Sequence, residues 1–430
     1  MINNLHTRLS DVIQILSASF SPLRVLNLRI YWGGQTISLL GTWMQVTAQS
    51  WVVWELSHAE SALGIVSMLG SLPMLLFGLW AGVWIDRLDR RKILIGSQTA
   101  AMLLAFVLAA LVATKAVQLW HVYVLSFLLG CVTAIDFPAQ QTFIGDLAGM
   151  SEVRKAIVVN AMLLQIGRML GPALAGFVMS ATGAALAFLL NGLSFIAVIV
   201  SLLIVRSHQT LSPSKGSALK AVMEGLRFIR SQPRIQDIIA LSVLVAFFGI
   251  SLLSFFPSLA DEVLHGDAST LGLLLASSGA GALVSTLIVT PLLQTRRRLG
   301  RVMALCVMWA GTWWMLGSLS RVVPLSMFCV FTGALATPTV LTTANGLLQT
   351  MAPPQMRGRV LSAFILVSFG IQPVSALLIG FMADHYGTPI AILFNGGAMI
   401  TLAAALLIFR RGLASWVPKP KTDVVVQASH

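Results

Sequence analysis

Long apolar runs separated by short polar intervals set the pattern of this chain. Twelve such runs fall near residues 30–54, 62–85, 93–114, 119–143, 156–180, 184–205, 236–259, 270–293, 301–320, 323–347, 359–383 and 388–409. Most reach the roughly 20 apolar residues that a helix needs to cross about 30 Å of hydrocarbon. The pattern predicts an all-α membrane protein with twelve transmembrane helices.

The cations then orient those helices. Arg8, Arg24 and Arg29 precede helix 1, and Arg87, Arg90, Arg91 and Lys92 follow helix 2. Arg154 and Lys155 follow helix 4, and Arg206, Lys215, Lys220, Arg227, Arg230 and Arg234 follow helix 6. Arg296, Arg297, Arg298 and Arg301 follow helix 8, Arg357 and Arg359 follow helix 10, and Arg410, Arg411, Lys419 and Lys421 follow helix 12. The odd-numbered loops hold only Lys115 and Arg321. Cytoplasmic loops are enriched in Lys and Arg, so both termini and the middle loop are expected in the cytoplasm, as in a multi-pass inner (plasma) membrane protein.

Composition agrees. Of 430 residues, 57% are hydrophobic and 10% charged, where a soluble chain is near a quarter charged. The net charge of +13 does not point to nucleic acid, because the cations are confined to loops flanking the membrane. Topology and contact with anionic lipid headgroups account for it. Cys131, Cys306 and Cys329 all fall in apolar runs and read as packing residues. Residues 1–22 lack the compact apolar core and small-residue site of a cleavable signal.

The longest polar stretch, 206–235, carries an amphipathic run at 218–231 and divides the chain. It predicts a tail 1–29, a six-helix bundle 30–205, a middle loop 206–235, a second bundle 236–409 and a tail 410–430. The halves repeat. Gly171-Pro172 lies about 201 positions before Gln372-Pro373, and Phe188-Leu189-Leu190-Asn191-Gly192 lies 204 before Ile392-Leu393-Phe394-Asn395-Gly396. Duplicated six-helix halves predict two pseudo-symmetric bundles with a substrate site between them at the bilayer midplane.

The loop after helix 2 reads Gly78-Leu79-Trp80-Ala81-Gly82-Val83-Trp84-Ile85-Asp86-Arg87-Leu88-Asp89-Arg90-Arg91-Lys92. Gly78 and Gly82 allow a neighbouring helix to approach closely. Asp86 follows at the membrane boundary, where a carboxylate can pair with cations on adjacent helix ends and hold a gate shut in one state. Gly82, Asp86, Arg87, Arg90 and Arg91 are thus candidates for a cytoplasmic gate. The second-half counterpart, Gln294 to Arg301, has no carboxylate, so any gate pairing is asymmetric.

This loop resembles the helix 2–3 signature of the major facilitator superfamily, with Asp89 where the general pattern has glycine. In that form it resembles the branch that includes the enterobactin exporter and macrolide-efflux proteins. The resemblance continues through Asn27-Leu28-Arg29, Trp32, Gly34-Gln35-Thr36-Ile37-Ser38, Asp136-Phe137-Pro138-Ala139-Gln140-Gln141 and Asn160-Ala161. It extends through Gly167 to Gly176 and Asn191-Gly192-Leu193-Ser194-Phe195, covering 25–205 closely and the second half loosely. It implies the major facilitator fold and secondary transport. Gly167, Gly171, Pro172 and Gly176 resemble the helix 5 motif of exporters, with Gly-Pro-x-x-x-Gly in place of Gly-Pro-x-x-Gly-Gly. Proline removes a backbone hydrogen bond and the glycines leave a smooth face, so these four are a candidate hinge. A packed kink without directional meaning is the alternative.

Asp136 in helix 4 and Arg168 in helix 5 lie within apolar surroundings. A charge at the centre of a membrane helix costs about 2.5–3.5 kcal/mol on insertion scales, so such residues face the interior and seek partners. Counting about 1.5 Å per residue puts the two at similar depths on adjacent helices. Three readings follow: Asp136 takes up and releases the coupling proton with Arg168 biasing it, the two form a static ion pair, or they do not touch. Gln45, Gln49, Gln140, Asn160, Gln165, Asn345, Gln349 and Gln372 are candidate cavity-lining residues; Trp43, Trp51 and Trp54 can meet an apolar ligand, Trp54 reading more as an anchor at the membrane interface. Asn191 and Asn395 read as interhelical hydrogen-bonding residues.

Enzyme signatures are absent from the sequence. It has no Gly-x-x-x-x-Gly-Lys-Ser/Thr phosphate loop, and its seven histidines have no metal-ligand spacing. No cofactor or metal is expected. The expectation is a monomeric secondary transporter that exports an amphipathic small molecule, drug- or siderophore-like, in exchange for protons. A proton-coupled uptake symporter, with Arg168 anchoring a substrate carboxylate, is the alternative within the class; a non-transporting receptor is the alternative outside it.

Overall fold

Every regular element is helical in the computed structural model, which describes residues 21–85, 88–205, 218–296 and 298–410. A 3₁₀ turn, Ser21–Arg24, leads into α1 (Leu26–Ser57), α2 (Glu60–Ile85), α3 (Arg90–Ala113), α4 (Leu119–Gly149), α5 (Lys155–Thr182) and α6 (Ala184–Ile204). A short surface helix, α7 (Ala218–Ser231), precedes α8 (Pro233–Val263), α9 (Ala268–Gln294), α10 (Leu299–Leu319), α11 (Val323–Met351), α12 (Arg357–Tyr386) and α13 (Thr388–Phe409).

Among the described residues, eleven helices are long and apolar enough to cross a membrane. The remaining long helix is α1, whose 32 residues include Gln35, Gln45 and Gln49. These amides lower its mean hydropathy, yet α1 runs beside α6 along its length. Gly34 meets Ala197 and Ser201, Gly41 meets Ser194 and Asn191, and Asn191 Nδ2 donates to Gln45 Oε1 at 2.6 Å. Helix 1 is polar because its face is spent on neighbouring helices instead of lipid.

Local chemistry sets the helix ends. The Asp89 carboxylate accepts from the backbone N–H groups of Arg91 (3.0 Å) and Lys92 (3.3 Å), capping α3. Asp267 caps α9 through the Thr270 N–H at 3.1 Å. Gly183 and Gly387, with φ of 87° and 85°, open α6 and α13. They stand 204 positions apart, the same offset as Asn191 and Asn395, so the repeat extends to backbone geometry that favours glycine. The interval 144–155, expected as a loop, is instead helical on both sides of a single bend at Gly149 (φ 69°, ψ 167°). Beyond that bend Ser21 Oγ (2.5 Å) and Lys155 Nζ (3.1 Å) both donate to Glu152, and they hold its carboxyl below the usual carboxylate range.

The two halves pack alike. Helix α6 lies against α3, with Gly192 under Phe106, and α13 lies against α10, with Gly396 against Gly311 and Met315. One core cluster, including Leu28, Tyr31, Trp32, Phe143, Ile144 and Leu202, belongs wholly to the first bundle. The bundles meet along α2 against α12 and α5 against α9. Lipid tails are as apolar as leucine, so helix association here rests on close packing and hydrogen bonds. Small residues line both contacts: Gly64 meets Ala376, Gly380 meets Glu60 and Ser61, and Gly176, Gly272 and Gly279 bring α5 and α9 into backbone contact. Large exposed side chains such as Phe177, Leu319 and Phe409 face outward.

A Cβ at Gly272 would stand 2.5 Å from the Pro172 carbonyl oxygen, whereas one at Gly96 would meet nothing within 4 Å. Gly272→Ala is expected to lower thermal stability in detergent by about 1–3 kcal/mol through overpacking. Gly96→Ala is expected to be neutral or to stabilise by up to about 1 kcal/mol from helix propensity. Melting curves of the two variants beside the parent check this.

Candidate functional site

A cavity of about 690 Å³ lies where α1 to α6 face α8, α9 and α12. Its walls are mostly apolar, with Leu39, Trp43, Phe137, Phe195 and Leu275 among them, and a limited set of polar groups projects inward. That composition suits a small amphipathic molecule.

The first polar group is Asp136 of α4. Its Oδ1 accepts from Ser97 Oγ (2.5 Å) and Gln98 Nε2 (3.0 Å) of α3, and its Oδ2 accepts from Gln140 Nε2, one turn along α4 (2.5 Å). Gln35 Nε2 of α1 donates to Gln140 Oε1 at 3.2 Å, extending the chain across three helices. All these partners are neutral. Two acceptors beside the network, Gln35 Oε1 and Gln98 Oε1, are buried without a partner. Side-chain amides can turn over, so Gln98 can present Nε2 to a carboxylate or Oε1 to a carboxylic acid.

The second is Arg168 of α5, whose guanidinium lies 5.7 Å from the centre of the Trp43 ring. A cation over an indole face is stabilised by the ring quadrupole. The direct Asp136–Arg168 pair expected as one reading does not form: Asp136 is held by neutral donors and Arg168 by an aromatic face, although both line the same cavity. The reason is local. Asp136 and Gln140 share a face of α4 that meets α3 and α1, so the carboxylate finds amide and hydroxyl donors first.

Of the other expected lining residues, Gln45, Gln49, Gln140 and Gln372 reach the cavity, while Asn160, Gln165, Asn345 and Gln349 are not among its walls. Asn160 is buried, and Gln349 is exposed and donates to Asn345 Oδ1 on its own helix. Pro172 also lines the cavity, but α5 keeps helical dihedrals through it. In this conformation Gly167 and Gly171 face Leu39, Leu40 and Trp43 of α1, and Gly176 faces α9, so the four serve close approach. Arg90 grips both oxygens of Asp146 at 2.8 Å, and Arg91 donates to the Leu202 and Leu203 carbonyls; these bonds stay within the first bundle. The backbone of Gly82 continues α2, and Asp86 and Arg87 lie outside the described residues.

Sequence reasoning missed Ser97 and Gln98, although an amide inside an apolar run was the signal used for the other glutamines. It also missed the wall supplied by α8. There Ile250, Ser251, Leu253 and Ser254 line the cavity where the helix changes from a π turn (Val245–Ile250) to a 3₁₀ turn (Ser251–Phe255). Such irregular turns favour functional positions, and short hydroxyl side chains give no hydropathy signal. Ser67 of α2 and Ser254 of α8 meet across the cavity at 2.9 Å.

One end of the seam is sealed by hydrogen bonds. Trp54 Nε1 donates to Asp261 at 2.8 Å, and the N–H groups of Glu60 and Ser61 donate to Asp384 at 2.6 and 3.1 Å. The Thr388 hydroxyl donates to Glu60 Oε1. Between described residues, the hydrogen bonds joining the bundles lie at this end and reach no deeper than Ser67 and Ser254. The helix ends rich in Lys and Arg are at the opposite end.

Residues 17–423 match the transmembrane secretion effector family. The Staphyloferrin A transporter of Staphylococcus aureus (strain NCTC 8325 / PS 47) is 22% identical, over 90% of this chain and 96% of its own length. Macrolide efflux protein A of Streptococcus pyogenes is 23% identical, over 86% of this chain and 93% of its own. The crystal structure of the nucleoside transporter NupG superposes with a TM-score of 0.71 at 13% identity, covering 90% of this chain and 99% of that one, which establishes a shared fold.

Gln45 and Asn191 form a buried pair beside the cavity. Asn191→Leu is expected to cost about 1 kcal/mol of stability, the scale of an interhelical hydrogen bond in a membrane protein. Adding Gln45→Leu is expected to recover part of that loss, because neither partner is then left unpaired. Thermal unfolding of the single and double variants in detergent checks the coupling.

Proposed function

The chain belongs to the transmembrane secretion effector family and is a membrane transporter of the major facilitator type; we infer that it exports an amphipathic small molecule, drug- or siderophore-like, by proton antiport through alternating access. One observation carries this reading. A largely apolar cavity at the seam is lined by a carboxylate, Asp136, and, apart from it, by a guanidinium, Arg168, that lies over the Trp43 ring. The apolar walls accept the body of the molecule, and Arg168 with the glutamine amides accepts its oxygens. The relatives named for staphyloferrin A and for macrolides support cargo of this size and character.

The end bearing Lys and Arg is assigned to the cytoplasm of an inner membrane, following the rule that cytoplasmic loops are cationic. The bonded end then faces outward, and the conformation is closed on that side. Asp136 is the coupling residue. Ionised, it draws three donors inward; protonated, it needs one acceptor, and the unpartnered oxygen of Gln98 is within the same cluster. The two states therefore ask for different arrangements of α3 and α4, the element that a proton can shift. Arg168 holds an anionic group of the cargo instead of the Asp136 carboxylate.

Purified protein in liposomes with an imposed pH gradient is the test, with a labelled macrolide and a labelled carboxylate siderophore as probes. Gradient-driven accumulation is expected for the parent. Asp136→Asn is expected to lose accumulation against a gradient, by a factor of ten or more for a group acting in coupling, while retaining downhill exchange. An Asp136→Asn protein that still concentrates cargo removes the coupling role, and flux that requires ATP removes the mechanism.

A further inference from the structure

The seal at the end remote from the Lys and Arg belt holds a carboxylate that the cycle above does not use. Glu60 opens α2 and is only 4% exposed. Its Oε1 accepts from Thr388 of α13, whose hydroxyl also meets Ser258 of α8 at 3.0 Å. Ser258 also reaches toward the carboxyl, while Oε2 is buried without a well-formed hydrogen bond. Asp384 of α12 reaches across from the other bundle and takes the N–H groups of Glu60 and Ser61, so the first turn of α2 is capped in trans.

The charged groups around Glu60 are of one sign. Asp384 approaches from α12 and Glu262 from α8. His58, just past the end of α1, interacts with Glu262, and Asp261 is taken by the Trp54 indole. His385 beside Asp384 is exposed. Among the described residues, Glu60 forms no ion pair with a Lys or Arg.

We propose that Glu60 is a proton-binding site of the seal, separate from Asp136, and that a bound proton favours the closed seam at this end. A carboxylate with one oxygen cut off from water, facing other carboxylates and no cation, is a costly species in a closed interface. A proton on Oε2 removes that charge and leaves the Thr388 bond to Oε1 in place. When the bundles part, Thr388 and Asp384 withdraw together, water reaches the side chain, and the carboxylate is free to ionise. The closed state thus binds the proton more tightly. Acid favours the closed seam and alkali the open one, by at most about tenfold per pH unit for one proton. This rests on the reading that this end opens during transport, and it adds a sensor of the pH outside.

The test uses paired spin labels at Leu56→Cys and Tyr386→Cys, exposed positions on the two sides of the seal. They are placed in the full chain with Cys131, Cys306 and Cys329 replaced by alanine, in lipid nanodiscs. Distance distributions are read from about pH 5 to about pH 8, where the parent is expected to raise its open fraction about tenfold. Glu60→Gln, a neutral side chain that keeps an acceptor for Thr388, is expected to stay closed with a flat profile. Asp384→Asn removes a facing negative charge while its amide oxygen can still accept from the N–H groups of Glu60 and Ser61, and it is expected to move the midpoint to lower pH. A parent that opens without regard to pH, or a Glu60→Gln variant with the parent's profile, overturns this proposal alone. A seal that stays shut in every variant at every pH overturns alternating access along with it.

Discussion

Hydrocarbon offers no hydrogen-bond partner, and this single deficit organises the molecule. Polar side chains within the apolar spans turn to another helix, to a cavity or back to their own helix, as Asn395 does to the Ala391 carbonyl. Gln45 finds Asn191, Gln35 finds Gln140, and Asp136 finds Ser97, Gln98 and Gln140. Ser285, Thr290 and Thr339 make a similar hydroxyl cluster inside the second bundle. Because lipid does not drive helices together, the glycines at the seam matter as much as the polar bonds. They let two backbones approach until carbonyls and Cα atoms touch.

The two bundles share a fold but divide the chemistry. The first contributes the carboxylate, the guanidinium, the amides and the indole of Trp43 to the cavity. The second contributes Ser251, Ser254, Ser278 and Gln372 together with an irregular stretch of helix. One half therefore carries the charge, and the other carries the irregular π and 3₁₀ turns. At the seal the roles are more even, with Glu60 and Trp54 from the first bundle set against Asp384, Asp261 and Thr388 from the second.

Much of this was legible in the sequence, for physical reasons. Helix number followed from the length of apolar runs, and the duplication followed from Asn191 and Asn395 at one offset, because a buried asparagine at a helix crossing tolerates few substitutes. Cavity residues were legible where they are long amides within apolar runs, as Gln45, Gln49 and Gln140 are. Serines were not, since a hydroxyl can return its bond to the preceding turn, as Ser126 does to Val122 and Ser71 does to Ser67. Pairing was the least legible property. Asp136 and Arg168 have matching depths, but depth says nothing about which way each faces, and nearer neutral donors claimed the carboxylate. The seal escaped notice because Glu60, Asp261 and Asp384 sit at helix ends, where a charged residue ordinarily meets water.

The bend at Gly149 has a mechanical meaning. Helices α4 and α5 form one unbroken helical rod but for that residue, whose φ of 69° and ψ of 167° belong to a region nearly closed to any side chain. One limb of the rod bears Asp136, and the other bears Arg168 and Gly176, which meets α9. Any side chain at that corner would be barred from those dihedrals, so the angle at which the two limbs leave one another is tied to a single glycine.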